Sequence, residues 1–242
     1  MNEKIKIVAI GGGNKDKAIE HALTMSGAEK PSVLLIPSAA SNVNSYGRKV
    51  PVLTEYFQSL GVDVNVLHEF GEDPSATKIA HELGRNSLIY TIGGSSPHML
   101  RTMARHGTDV AVADAIRGGT VHAGLSAGAL LPFELAHSNT SVKPSSEDWD
   151  YQYLDMLGII PGVATAHADQ HDPTPHGDRP DTRLGALVAT FPENATTGYA
   201  IDNGAALIFN GINPPEVIRS VAESKARTVH RTPDGSIQID TL

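Results

Sequence analysis

The residues best suited to chemistry are Gly124-Leu125-Ser126-Ala127-Gly128-Ala129. A strand-like TVHA precedes them and an apolar, helix-like ALLPFEL follows. The Gly-x-Ser-x-Gly form fits a nucleophile elbow, a strand-to-helix turn too tight for flanking side chains. Such a turn would push Ser126 into the crevice at the helix N-terminus, where free N–H groups and the helix dipole favour developing negative charge. A second small turn, Gly93-Gly94-Ser95, closes the strand-like Ser87–Ile92. With no Cβ in the way, glycine lets a backbone N–H approach a substrate oxygen. The N–H groups of Gly94 and Ala127 are therefore the expected oxyanion hole.

A serine hydroxyl needs a base, most often histidine. Of eleven histidines, His21, His81, His98 and His106 lie in helix-like segments and read as surface residues, and His122 reads as core. His167 follows the apolar Leu157–Gly162 stretch closely enough to sit at a strand end. It is the first candidate base, with His171 second. The loop His167-Ala168-Asp169-Gln170-His171-Asp172 could also ligate a divalent metal. No second cluster of ligands accompanies it, so neither metal nor cofactor is expected.

The elements that must carry these residues follow from periodicity. Strand-length apolar runs at 5–10, 32–37, 63–67, 87–92 and 120–123 alternate with helical segments at 15–26, 45–60, 77–83, 97–107 and 108–117. This predicts an α/β fold with a mostly parallel sheet covered by helices on both faces. Ligands bind such sheets beyond the carboxyl ends of the strands. Glycines at 11, 93 and 124 cluster at that edge. Segments 138–155 and 167–181 read as long loops, 182–190 as a helix, 198–202 and 205–210 as a strand pair, and 216–242 as a C-terminal β ribbon.

Composition bounds the rest. The chain has 242 residues, 40 % of them hydrophobic, and reads as one α/β hydrolytic domain over 1–242. A net charge of −8 without a basic stripe disfavours nucleic-acid partners. The absence of cysteine excludes disulfides, thiolate metal sites and a Cys nucleophile. The first apolar run is too short for a signal peptide core or a membrane span, so a cytoplasmic protein with no membrane partner is expected.

In order along the chain, Ala9–Gly13, Leu35–Ala40, Ile92–Ser95, Gly124–Ala129, Leu157–Gly162 with His167-Ala168-Asp169, and Gly198–Asp202 resemble the dipeptidase E and cyanophycinase family of serine peptidases. The resemblance implies the class I glutamine-amidotransferase-like (flavodoxin-like) fold, with Ser126 as nucleophile and His167 as base. It further implies a small peptide substrate, such as an N-terminal aspartyl dipeptide, and either monomers or a homodimer. Cyanophycinases carry Asp-Gln-His-Phe before an arginine-rich run. Asp169-Gln170-His171 imitates this, but Asp172 replaces the aromatic residue, which keeps His171 as an alternative.

Two departures stand out. Where the dipeptidases place an acid downstream of the serine, this chain has Asn139. Asparagine can still orient an imidazole, and Glu147, Asp148 or Asp169 could substitute. The family's Gly-Gly-Asn block ends here in Ser95, which points to a different substrate pocket. For an acidic substrate, Arg179 and Arg183 are the candidate cations. The competing functions are a cyanophycinase-like hydrolase of aspartyl-arginine polymer, an idle relative that binds a small ligand, and a metallohydrolase using the His167–His176 loop.

Overall fold

The computed structural model describes residues 3–139, 151–171 and 182–242. The first half builds five parallel strands, β1 (Lys6–Ile10), β2 (Ser32–Ile36), β3 (Asp63–Val66), β4 (Leu88–Thr91) and β5 (Val121–Leu125). They alternate with α1 (Asp16–Ser26), α2 (Val43–Ser59), α3 (Ala76–Arg85), α4 (Ser96–His106) and α5 (Thr108–Gly118). Every residue of β4 is buried, as are Val33–Ile36 and Ile7–Ile10. Strands covered on both faces lose the polar alternation of a half-solvated sheet, which is why they read as unbroken apolar runs. α1 packs on β1 and β5, α2 on β3 and α3 on β2, with α5 against α3 and α4.

The second half departs from the expected plan. The run after Ser126 forms only a one-turn helix, α6 (Ala127–Leu130). Pro132, which cannot donate to a helix ladder, ends it. Phe133–Ser138 is then a strand, β6, where a continuing helix was expected. β6 opens a second sheet with β7 (Gln152–Asp155), β8 (Ile160–Ala166), β9 (Gly198–Ile201), β12 (Ala226–Arg231) and β13 (Ile237–Thr241), in the order β13-β12-β9-β8-β6-β7. α7 (Arg183–Ala189) packs on β8.

The expected strand pair over 198–210 forms two strands that do not pair with each other. β9 lies in the second sheet. β10 (Ala205–Asn210) runs antiparallel to β1 in the first, with β11 (Glu216–Arg219) outside it. Only β12 and β13 of the expected ribbon make a hairpin. The buried core runs across both sheets. Phe133 of β6 meets Phe209 of β10 edge-on at 5.7 Å, and Tyr199 of β9 meets the same ring at 5.6 Å. No helix among the described residues is long and apolar enough to cross a membrane.

Candidate active site

The carboxyl ends of β1, β5 and β8 converge on the β9–β10 turn. The Ser126 N–H donates to Ile10 O at 2.9 Å, His167 N–H to Gly11 O at 3.2 Å, and Gly204 N–H to Gly12 O at 2.8 Å. Three chain crossings are thereby tied to one glycine segment. Ser126 has φ 54° and ψ −115°, and His167 has φ 54°. They are the only non-glycine residues with positive φ among the described residues. Such conformations persist only where the surroundings over-determine them, and they cluster at active sites.

Small residues permit the elbow. A Cβ on Gly124 would lie 2.1 Å from Gly128 O, and one on Gly128 would lie 2.1 Å from Thr91 O. The strand, the turn and the adjoining β4 are packed backbone on backbone. Because α6 is a single turn, its dipole is short, and the individual N–H groups carry the electrostatics. The N–H groups of Ala127 and Gly94 make no hydrogen bond among the described residues. Gly94 and Ser126 line one cavity.

His167 Nε2 lies 2.8 Å from Ser126 Oγ. On the other side of the ring, Nδ1 lies 2.7 Å from Asn203 Oδ1. Asp169 orients that amide, because its Oδ1 accepts from Asn203 N–H at 2.8 Å and from Asn203 Nδ2 at 3.0 Å. A carboxylate only accepts, so the Asn203 NH2 faces Asp169 and its oxygen faces the imidazole. Nδ1 then carries the proton and Nε2 is left as the acceptor for the serine hydroxyl. Asp202 anchors the turn beneath, accepting from Lys225 N–H at 3.0 Å and from Arg227 Nη1 at 2.7 Å. Gly12 makes room for the assembly. A Cβ there would stand 2.3 Å from His167 Nδ1, His167 Cε1 and Asn203 Oδ1.

The partner of the imidazole is thus Asn203. Asn139 lies just past β6, beside the β8 end that leads to His167, and does not occupy this position. The Asn203-Gly204 pair reads locally as a hairpin turn, and only its use as a bridge between sheets brings it to the histidine. Asp169, one of the alternatives to Asn139, is joined to the ring through Asn203. His171 is exposed and bridges to Thr182, away from Ser126. Among the described residues no group of three potential metal ligands assembles.

The Ser126 cavity, of about 520 Å³, is lined by Lys15, Arg48 and Lys49 and by the apolar Val52, Leu53 and Leu125. Lys49 Nζ donates to Gly93 O at 2.7 Å. Burial, and then the charge of Arg48, lower its pKa. Lys15 Nζ sits 4.5 Å over the Tyr56 ring. Among the described residues no carboxylate lines this cavity. These cations were not anticipated: Arg48 and Lys49 lie on α2 and Lys15 just before α1, where local pattern gives a charge no reason to be more than solvated surface. Of the arginines expected in their place, Arg183 opens α7 and does not line the cavity, and Arg179 lies outside the described residues, as do Glu147, Asp148 and His176. Ser95 caps α4, its hydroxyl accepting from His98 N–H at 3.3 Å, and faces a neighbouring polar cavity.

The family model of Peptidase family S51 matches residues 7–214. The chain belongs to Peptidase family S51. It is a serine-type peptidase. An uncharacterized peptidase, YgaJ, of Bacillus subtilis (strain 168) is 26 % identical over 230 residues, covering 93 % of this chain and 91 % of that protein. Peptidase E of Salmonella newport (strain SL254) is 25 % identical over 219 residues, covering 86 % and 90 %. Among solved structures, a peptidase from an acI-B1 Actinobacterium superposes with a TM-score of 0.73 at 18 % identity, over 100 % of this chain and 98 % of that one. A putative peptidase E from Listeria monocytogenes EGD-e superposes with a TM-score of 0.64 at 19 % identity, over 89 % and 98 %. These structural neighbours bear out the flavodoxin-like fold that the family resemblance implied.

Proposed function

We propose that this S51 peptidase hydrolyses short peptides with an acidic N-terminal residue, by acyl transfer through Ser126 and His167. The observation that carries the reading is the pairing of the two positive-φ residues at 2.8 Å. Ser126 Oγ attacks the scissile carbonyl and its proton passes to Nε2. The oxyanion is received by the Gly94 and Ala127 N–H groups, each worth about 3 kcal/mol in such sites. His167 then protonates the leaving amine, and water repeats the sequence on the acyl-enzyme. Replacing a triad aspartate by asparagine is usually ruinous because the amide can present its NH2 and impose the wrong tautomer. Here Asp169 turns the amide so that oxygen is presented.

Lys15, Arg48 and Lys49 support an acidic substrate residue beside the scissile bond, since a carboxylate there replaces part of their lost hydration. The same cations oppose the arginine side chains of an aspartyl-arginine polymer. The cavity is of dipeptide size. A fluorophosphonate probe, read by intact mass, tests the mechanism. A single adduct is expected, absent in Ser126→Ala and His167→Ala. No adduct with either this probe or a smaller sulfonyl fluoride overturns it. For the substrate, kcat/KM on aspartyl dipeptides is expected to exceed that on alanyl dipeptides by about tenfold or more, the worth of one charge-assisted contact.

A further inference from the structure

A second cavity, of about 330 Å³, opens at the same carboxyl edge of the first sheet, beyond β2 and β3, and shares no lining residue with the Ser126 cavity. It brings charges of opposite sign, Glu69 and two arginines, to one cavity without pairing them among the described residues. Glu69, only 5 % exposed, accepts from Thr108 Oγ1 at 2.6 Å and from the Ser38 hydroxyl, yet has no cation paired with it among the described residues. Each of its oxygens keeps a lone pair for another donor. Across the cavity, Arg101 and Arg105 stand one turn apart on α4 and form no ion pair among the described residues. His106 is engaged with Asp73, Nδ1 to Oδ1 at 2.8 Å. Burial and then Arg101 lower the pKa of His98, which favours its neutral form.

A buried carboxylate without a counter-ion and two arginines without carboxylates, held apart in one cavity, complement a ligand that carries both signs. Arg101, Arg105 and Glu69 sum to one net positive charge, which a ligand of one net negative charge balances. The volume is at the low end of small-molecule sites. We propose that this cavity binds an acidic α-amino acid, its ammonium group on Glu69 and its two carboxylates on Arg101 and Arg105. The proposal is independent of the role of Ser126.

Isothermal titration of the full chain with L-aspartate tests it. One site is expected. Succinate, which lacks the ammonium, and L-asparagine, which lacks the second carboxylate, are each expected to bind about tenfold more weakly or worse. Arg101→Gln with Arg105→Gln is expected to weaken L-aspartate by a similar factor, about tenfold. Glu69→Gln is expected to abolish the preference for L-aspartate over succinate. Arg48→Gln with Lys49→Gln, in the other cavity, is expected to leave this site unchanged. No binding up to about 10 mM, or binding lost with Arg48 and Lys49 but kept without Arg101 and Arg105, overturns the proposal. Both arginines lie on an exposed helix face, so their loss leaves the fold intact and the test decisive.

Discussion

The ring of His167 is held on three sides, by Ser126, by Asn203 and by the bare backbone of Gly12, and each contact makes a separate prediction. Asn203→Ala removes the oxygen that fixes the tautomer. Its kcat is expected to fall about 10- to 100-fold with little change in KM, the pattern of a lost orienting group. The negative charge of this site sits one amide away from the imidazole, on Asp169. Exchanging the two, Asn203→Asp with Asp169→Asn, puts the carboxylate against the ring and favours imidazolium. The acid limb of the kcat/KM profile is then expected to move to higher pH, and an unmoved limb would show that the charge is already felt through Asn203. Gly12→Ala drives a methyl into the ring and the Asn203 oxygen. Loss of fluorophosphonate labelling with an unchanged circular dichroism spectrum is expected.

At the scale of elements, the elbow is a backbone-on-backbone contact among β4, β5 and α6. Gly128→Ala places a methyl against Thr91 O, and neither backbone can step aside without breaking strand pairing. An overpacking cost of about 1–3 kcal/mol is expected in the urea midpoint, together with lost labelling. α2 contributes Arg48 and Lys49, whose positions depend on how the helix lies over β3 rather than on any local motif. Lys49→Gln is expected to raise KM for an aspartyl dipeptide several-fold and leave an alanyl dipeptide unaffected.

Across the whole molecule, the two sheets are joined by the Phe133–Tyr199–Phe209 cluster and by the chain passing from β9 to β10 through Asn203. Site geometry and inter-sheet packing are therefore coupled. Acid stability is also a property of the assembled core. His122 is fully buried in β5, its Nε2 3.0 Å from Thr91 Oγ1, and desolvation lowers its pKa to about 3. Between that value and the ordinary one near 6.5, the unfolded chain binds a proton that the folded chain refuses. The contribution to stability is thus complete above the unfolded pKa and is lost, to the extent of a few kcal/mol (~1.4 per pH unit), as pH falls towards the folded one. His122→Gln, whatever it does to stability at pH 7, is expected to flatten the fall of the urea midpoint between pH 7 and pH 4.

What the sequence determined alone was local. Five apolar runs, three of them ending in glycine at one edge, were enough for the parallel sheet, because burial on both faces removes alternation. The contiguous residues 124–129 were enough for the elbow, because its steric demand is met within one turn. The placement of His167 at a strand end was legible from the apolar run before it. Asn203 was not. It reaches the histidine across 36 residues of chain, through a turn that resembles any Asn-Gly hairpin until its two strands separate into different sheets. The same separation was invisible at β9 and β10, each a short apolar run with nothing in its pattern to name a partner. Arg48, Lys49 and the Glu69 cavity likewise depended on how helices lie over the sheet. Periodicity and turn chemistry reside in neighbouring residues, whereas pairing, charge convergence and cavities exist only once distant segments close on one another.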